Sequence, residues 1–112
     1  MSNSCIFCKI RNGEIPSEIL FKDEDFMIIR DIEPQAKIHL LAIPAEHNAT
    51  IDLLTEKGAE TLGRILGKIS KMQNQLGLQD GYRIIVNQGK NANQTVGHIH
   101  IHLLGGEQLK DF

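Results

Sequence analysis

Apolar residues recur along the chain with two different periods. Leu62, Ile65, Leu66, Ile69, Met72 and Leu76 follow the i, i+3, i+4 spacing of an amphipathic helix. Thr55 stands where such a helix would be capped, Glu56 falls in its first turn, and Gly77 suits the left-handed residue after its end. This helix is expected to cover a sheet and to carry no chemistry. Shorter runs rich in Ile, Leu, Val and Phe predict strands at about 18–22, 25–32, 37–43, 82–88 and 98–104. Asp23-Glu24 is a tight-turn candidate between the first two, Asp31-Ile32-Glu33-Pro34 breaks the chain before the third, and Gly89 to Gln94 is a polar loop before the fifth. Ile6 to Asn12 suits a short helix closed by Gly13. Short connections favour antiparallel pairing. The expected fold is α+β: a five-stranded antiparallel sheet with one long and one short helix on one face.

The 112 residues suit a single domain, 1–112, with one core and no need of disulfides. A formal charge of −2 provides no basic field, which argues against nucleic acid or a membrane surface as the partner. No apolar run approaches the roughly 20 residues of a membrane span. The first residues, Met1 to Cys5, lack the basic-then-apolar pattern of an export signal. A soluble, cytoplasmic protein is expected, with Cys5 and Cys8 kept as thiols and free to bind metal.

Three of the 5 histidines alternate with aliphatic residues in His98-Ile99-His100-Ile101-His102-Leu103-Leu104. On a strand these three share one face, while Ile99, Ile101 and Leu103 enter the core from the other. The rise per residue sets the outer two roughly 13 Å apart. One metal with Zn–N bonds of about 2 Å cannot hold all three, so the row is expected to divide its work. Strict alternation is hard to ascribe to isolated surface or core histidines. His39 lies in the third strand, and His47 follows it. Cys5-Ile6-Phe7-Cys8 has the spacing of half a zinc site, for which His47 and one end of the row are the available partners. Buried apolar cysteines are a plainer alternative. A redox pair is weaker, since no strand precedes it. Asn87-Gln88-Gly89 and Asn93-Gln94-Thr95 flank a bend whose amides and hydroxyl suit a phosphate.

With these residues in view, the sequence resembles the histidine-triad family of nucleotide-binding proteins, its Hint branch in particular. The triad at His98 to Leu104 continues into Gly105-Gly106. Supporting stretches are Gly13 to Pro16, Asp31 to Ala36, His39 to Pro44, Gly81 to Asn87, and Gly89 with Gln94-Thr95-Val96. The resemblance implies a homodimer with a continuous sheet. It also implies hydrolysis of purine nucleoside phosphoramidates or related nucleotidyl conjugates. His100 falls on the nucleophile, and His102 and His39 on the phosphate and leaving-group side. Asn87, Gln94 and Thr95 fall on phosphate contacts, and Asp31 on the acid that holds the ribose. Ile6, Phe7, Ile10, Ile15, Ile29 and Ile32 fall on the base pocket, where Arg30 is expected to add positive charge. Members with this Cys pair bind a structural zinc, which here implies Cys5, Cys8, His47 and His98. Gly97 and Thr95 depart from the bulkier residue and the Ser common at these positions, which leaves the leaving group open. Two other readings compete: a hydrolase with a catalytic zinc on the histidine row, and a module that binds nucleotides without turnover.

Overall fold

A computed structural model describes residues 5–112; residues 1–4, which carry most of the stretch read above for an export signal, lie outside the described residues. Five strands, β1 (Ile19–Lys22), β2 (Phe26–Arg30), β3 (Ile38–Pro44), β4 (Tyr82–Ile85) and β5 (Ile101–Gly105), form one antiparallel sheet in the order β1-β2-β3-β5-β4. The β1–β2 hairpin closes where expected. Asp23 Oδ1 accepts the backbone N–H groups of Asp25 at 2.8 Å and Phe26 at 3.0 Å, the short acid holding its own turn.

The long helix, α2 (Glu56–Met72), begins at Thr55, whose hydroxyl accepts the Gly58 N–H at 2.9 Å. Regular helix ends at Met72, four residues before the apolar stripe does. The closing turn keeps the expected glycine geometry: Leu78 N–H donates to Gln73 O at 2.8 Å and Gly77 N–H to Asn74 O at 3.2 Å, with Gly77 at φ +77°. A Cβ there would meet Ile38 Cδ1 at 2.6 Å. The helix sinks Ile65 and Ile69 onto Phe26, Ile28, Leu40, Ala42, Ile101 and Leu103. Each buried isoleucine contributes about 1.5–3 kcal/mol.

The short helix, α1 (Ile6–Arg11), takes the opposite face, against the expectation of both helices on one side. Its Phe7 and Ile10 pack on Met27, Ile29, Leu41 and Ile43. The reason is legible in β2 and β3, where consecutive residues from Phe26 to Ile29 and from Leu40 to Ile43 are all buried. Strands apolar on both sides need cover on both.

The fifth strand also corrects the expectation: β5 starts at Ile101, not at 98. His98 to His100 approach the ladder without joining it. Ile99 N–H goes to Asn48 O in the loop after β3 at 2.8 Å, and the His100 ring bonds the His98 carbonyl. Such local side-chain bonding competes with strand pairing. β4 correspondingly ends at Ile85 rather than 88. Among the described residues no helix is long and apolar enough to cross a membrane.

Candidate active site

On the α1 side of the sheet, the histidine row divides into two clusters. At one end, Cys5, Cys8, His47 and His98 bring one donor atom each to within 4.8 Å of the others. The His47 and His98 Nδ1 atoms are 3.1 Å apart. Cys5 Sγ is 3.3 Å and Cys8 Sγ 3.7 Å from His98 Nδ1, and Cys8 Sγ is 3.4 Å from His47 Nδ1. Donors bound tetrahedrally at about 2.0–2.3 Å stand roughly 3.3–3.8 Å apart, so the set closes on a zinc-sized ion. His98 Nε2–H donates to Pro44 O at 2.9 Å, which turns the Nδ1 lone pair toward the thiols. Burial holds the His98 pKa below its ordinary value, in the neutral ligand form. Burial, and then neighbouring Cys5, push the Cys8 thiol up to about 11; a cation is what makes such thiols thiolates at neutral pH.

At the other end, two rings and a turn amide fix a chain of protons. Gln35 N–H donates to His39 Nδ1 at 2.9 Å. The His39 proton is therefore on Nε2, 2.9 Å from His102 Nδ1 and 3.4 Å from Asp31 Oδ2. His102 in turn carries its proton on Nε2, which is buried and has no partner among the described residues. These tautomers are assigned from the partners. An orphaned buried donor costs about 1–3 kcal/mol, which an acceptor oxygen of a ligand would recover. Burial, then the neighbouring His100 and His39 rings, lower the His102 pKa, so it is a neutral donor near pH 7. Asp31, His39 and His102 also group their donors within 4.8 Å. A metal there would cost His39 its Nε2 proton while Gln35 still holds Nδ1. The geometry makes this cluster a hydrogen-bond relay, not a catalytic zinc site.

Between the clusters sits His100, 8% exposed. Its Nδ1–H donates to His98 O at 2.8 Å, which leaves Nε2 as the nitrogen with a lone pair. The Phe7 ring packs edge-on against both His98 and His100, at centroid distances of 5.8 and 5.1 Å.

Other expected residues fall out unevenly. Asp31 stands opposite His39 just past β2, and its Oδ1 accepts Glu33 N–H at 2.8 Å. Phe7, Ile10, Ile15 and Ile29 gather in one apolar cluster, whereas Ile6 is half-exposed and Ile32 fully so. Asn87 follows β4 by two residues, past the last ladder pair Ile85–His102, and is half-buried. Thr95 is exposed. The Gln94 amide ties its loop to the segment after β3: Oε1 accepts Gly89 N–H, and Nε2 donates to Ala49 O and Val96 O. Arg30 is a correction. Strand alternation turns it to the α2 side, away from Ile29, and it pairs with Glu18 at 2.8 Å. Sequence reasoning missed Gln35, whose contribution is a backbone N–H that no side-chain pattern signals.

Comparison with known proteins adds an independent view. A family model described as "Scavenger mRNA decapping enzyme C-term binding" matches residues 4–111. A 14 kDa zinc-binding protein of Zea mays is 43% identical over 106 residues, 93% of this chain and 83% of that protein. The crystal structure of a HIT family hydrolase from Legionella pneumophila superposes with a TM-score of 0.89 at 44% identity, covering 96% of each chain. That of a histidine triad nucleotide-binding protein from Candida albicans gives 0.79 at 34% identity, covering 97% of this chain and 85% of the other.

Proposed function

Because the chain belongs to the histidine-triad family, we propose that it is a nucleotide-binding hydrolase cleaving purine nucleoside phosphoramidates or related nucleotidyl conjugates through a nucleotidyl-His100 intermediate. The observation that carries this reading is the pair of opposed tautomers in the row. His100 keeps its proton on Nδ1 against His98 O, so Nε2 can attack. His102 next to it offers a buried N–H with no partner among the described residues.

His100 Nε2 attacks the α-phosphorus, the P–N bond of the substrate breaks, and the nitrogen takes a proton from solvent and departs as the amine. Water then attacks phosphorus and gives up a proton to solvent, the Nε2–P bond breaks, and the nucleoside monophosphate leaves. Splitting one displacement into two lowers each barrier. Charge building on the phosphoryl oxygens meets the His102 N–H, with Asn87 and Thr95 at the rim. Asp31 accepts from the ribose hydroxyls, and the base enters among Phe7, Ile10, Ile15 and Ile29, with Ile6 and Ile32 free to close over it. Cys5, Cys8, His47 and His98 hold a structural zinc. Held there, it would tie α1 to the segment before β5, where Phe7 packs against His100, and would supply structure rather than chemistry.

A homodimer in the cytoplasm completes the reading. β4 is an edge strand with Ile84 47% exposed, an open ladder that a second copy would extend into a continuous sheet.

The test is a rapidly quenched mass spectrum of the protein mixed with an adenosine phosphoramidate. We expect a nucleotidyl adduct on the parent, and neither adduct nor turnover with His100→Ala. Turnover by His100→Ala at the parent rate would overturn the reading, and binding without adduct or turnover would favour a non-catalytic module.

A further inference from the structure

The loop that carries Asn87 and Thr95, residues 86–100, lies outside the strand ladder between β4 and β5. Its own backbone bonds, Ala92 N–H and Gln94 N–H to Gly89 O and Asn93 N–H to Lys90 O, shape a turn but do not place it. Bonds onto Pro44 and the segment after it do. At the far end of the loop, His98 Nε2–H donates to Pro44 O at 2.9 Å and Ile99 N–H to Asn48 O at 2.8 Å. In the middle, Gln94 Nε2 donates to Ala49 O at 2.8 Å. At the near end, next to Asn87, the anchor is Gln88. Its Oε1 accepts Ile51 N–H at 2.7 Å, and its Nε2 donates to Asp52 Oδ2 at 3.1 Å. Ile51 opens a single 3-10 turn, Ile51–Leu53, where a first N–H has no partner within its own turn. One amide thus supplies an acceptor and a donor at the same reach. The mechanism above gives Gln88 no task, and it belongs to neither apolar cluster.

We propose that Gln88 is a positioning residue for the phosphoryl site: by clamping the start of this loop to the segment that carries His47, it holds the neighbouring Asn87 amide where phosphoryl charge builds. The inference rests on the nucleotide reading above and deepens it by naming what supports one of its donors. Asn87 stands between the end of β4 and this two-handed anchor. On the other side of the anchor, Gly89 N–H is held by Gln94 Oε1 at 2.9 Å. Without the clamp the Asn87 backbone has no fixed point before Gly89, and its amide samples directions away from the phosphorus. A small misplacement of such a group falls on the chemical step more than on binding, because preorganised donors count most where charge develops.

The test is steady-state turnover of an adenosine phosphoramidate by zinc-loaded protein, run beside thermal melts and calorimetric titration with AMP. Gln88→Ala should lower kcat about tenfold, with KM and AMP affinity within about threefold of the parent. Gln88→Glu keeps the acceptor for Ile51 N–H but sets carboxylate against carboxylate at Asp52, and should fall with it. Adding Asp52→Asn to Gln88→Glu exchanges donor and acceptor in the second bond, and should bring kcat back to within about threefold of the parent. A merely structural role would lower Tm without separating kcat from KM. Parent-level kcat in Gln88→Ala, even with a lowered Tm, overturns the proposal, as does a double variant no faster than Gln88→Glu. Should Gln88→Ala fail to fold, the two glutamate variants decide. A parent that shows neither adduct nor turnover overturns the hydrolase reading instead, and this inference with it.

Discussion

Replacing His102 with alanine separates its catalytic role from its structural one. The ring is half-buried on β5 between Leu41 of β3 and Ile85 of β4, and its Nε2 has no partner among the described residues. Folding therefore loses no hydrogen bond at that nitrogen. At Nδ1 it loses the contact with His39, whose Nε2 lies 3.4 Å from Asp31 Oδ2. The stability cost should stay near 1 kcal/mol, roughly 4 °C in Tm for a domain of this size. The transition state loses a preorganised donor, typically worth about 100- to 1,000-fold in kcat, or about 2.7–4 kcal/mol. Steady-state turnover of an adenosine phosphoramidate, run beside thermal melts, reads both quantities. The expected pattern is a large fall in kcat, little change in KM and a small fall in Tm, with His102→Gln recovering part of the rate through its amide N–H. A His102→Ala enzyme within about threefold of the parent kcat would refute the assignment of this ring as the phosphoryl donor.

Three further outcomes follow from the same geometry. Cys8→Ser should reduce bound zinc from about one per chain to none, and chelation of the parent should inactivate it only as it unfolds, because the six residues of α1 are too few to hold as a helix alone. Immediate inactivation of a protein that stays folded would point to a catalytic metal. The lowered pKa of His102 sets a sign for pH dependence. The unfolded chain takes up this proton near pH 6.5 and the folded one only at lower pH, so the stability it contributes is complete above 6.5 and is lost as pH falls from there toward the folded midpoint. Between pH 7.5 and 5.5 the parent should lose more Tm than His102→Gln; equal losses would contradict the shift. Gly77→Ala forces a side chain into φ +77° and toward Ile38 Cδ1 at 2.6 Å. It should cost about 1–2 kcal/mol in urea melts while leaving adduct formation at the parent level.

The relation of sequence to site differs from residue to residue. The alternation of His98, His100 and His102 announced a row on one face, and the structure divides it in space: His98 lies with the cysteines, His102 with His39, and His100 between them. What alternation could not convey is that the first half of the row is off the ladder. Its departure depends on an Asn48 carbonyl and on the backbone of His98 itself. Arg30 looked like a pocket residue because it adjoins Asp31, yet neighbours on a strand face opposite ways and Glu18 holds it on the other side. Gln94 falls by resemblance on a phosphate contact, while in the structure its amide meets backbone groups of Gly89 and Val96 in its own loop and of Ala49 after β3.

The chain by itself determines its elements: the period of α2, its Thr55 cap and Gly77 stop, the Asp23 turn, the five apolar runs and the family to which the triad belongs. These depend on side chains a few residues apart, where spacing is geometry. Tertiary structure alone decides which nitrogen of each imidazole carries the proton. That choice belongs to partners far away in the chain, such as Cys5 for His98 and His39 for His102, and to backbone groups such as the Gln35 amide and the Pro44 carbonyl. Every residue possesses such backbone groups, so no sequence pattern marks the few that point at a histidine.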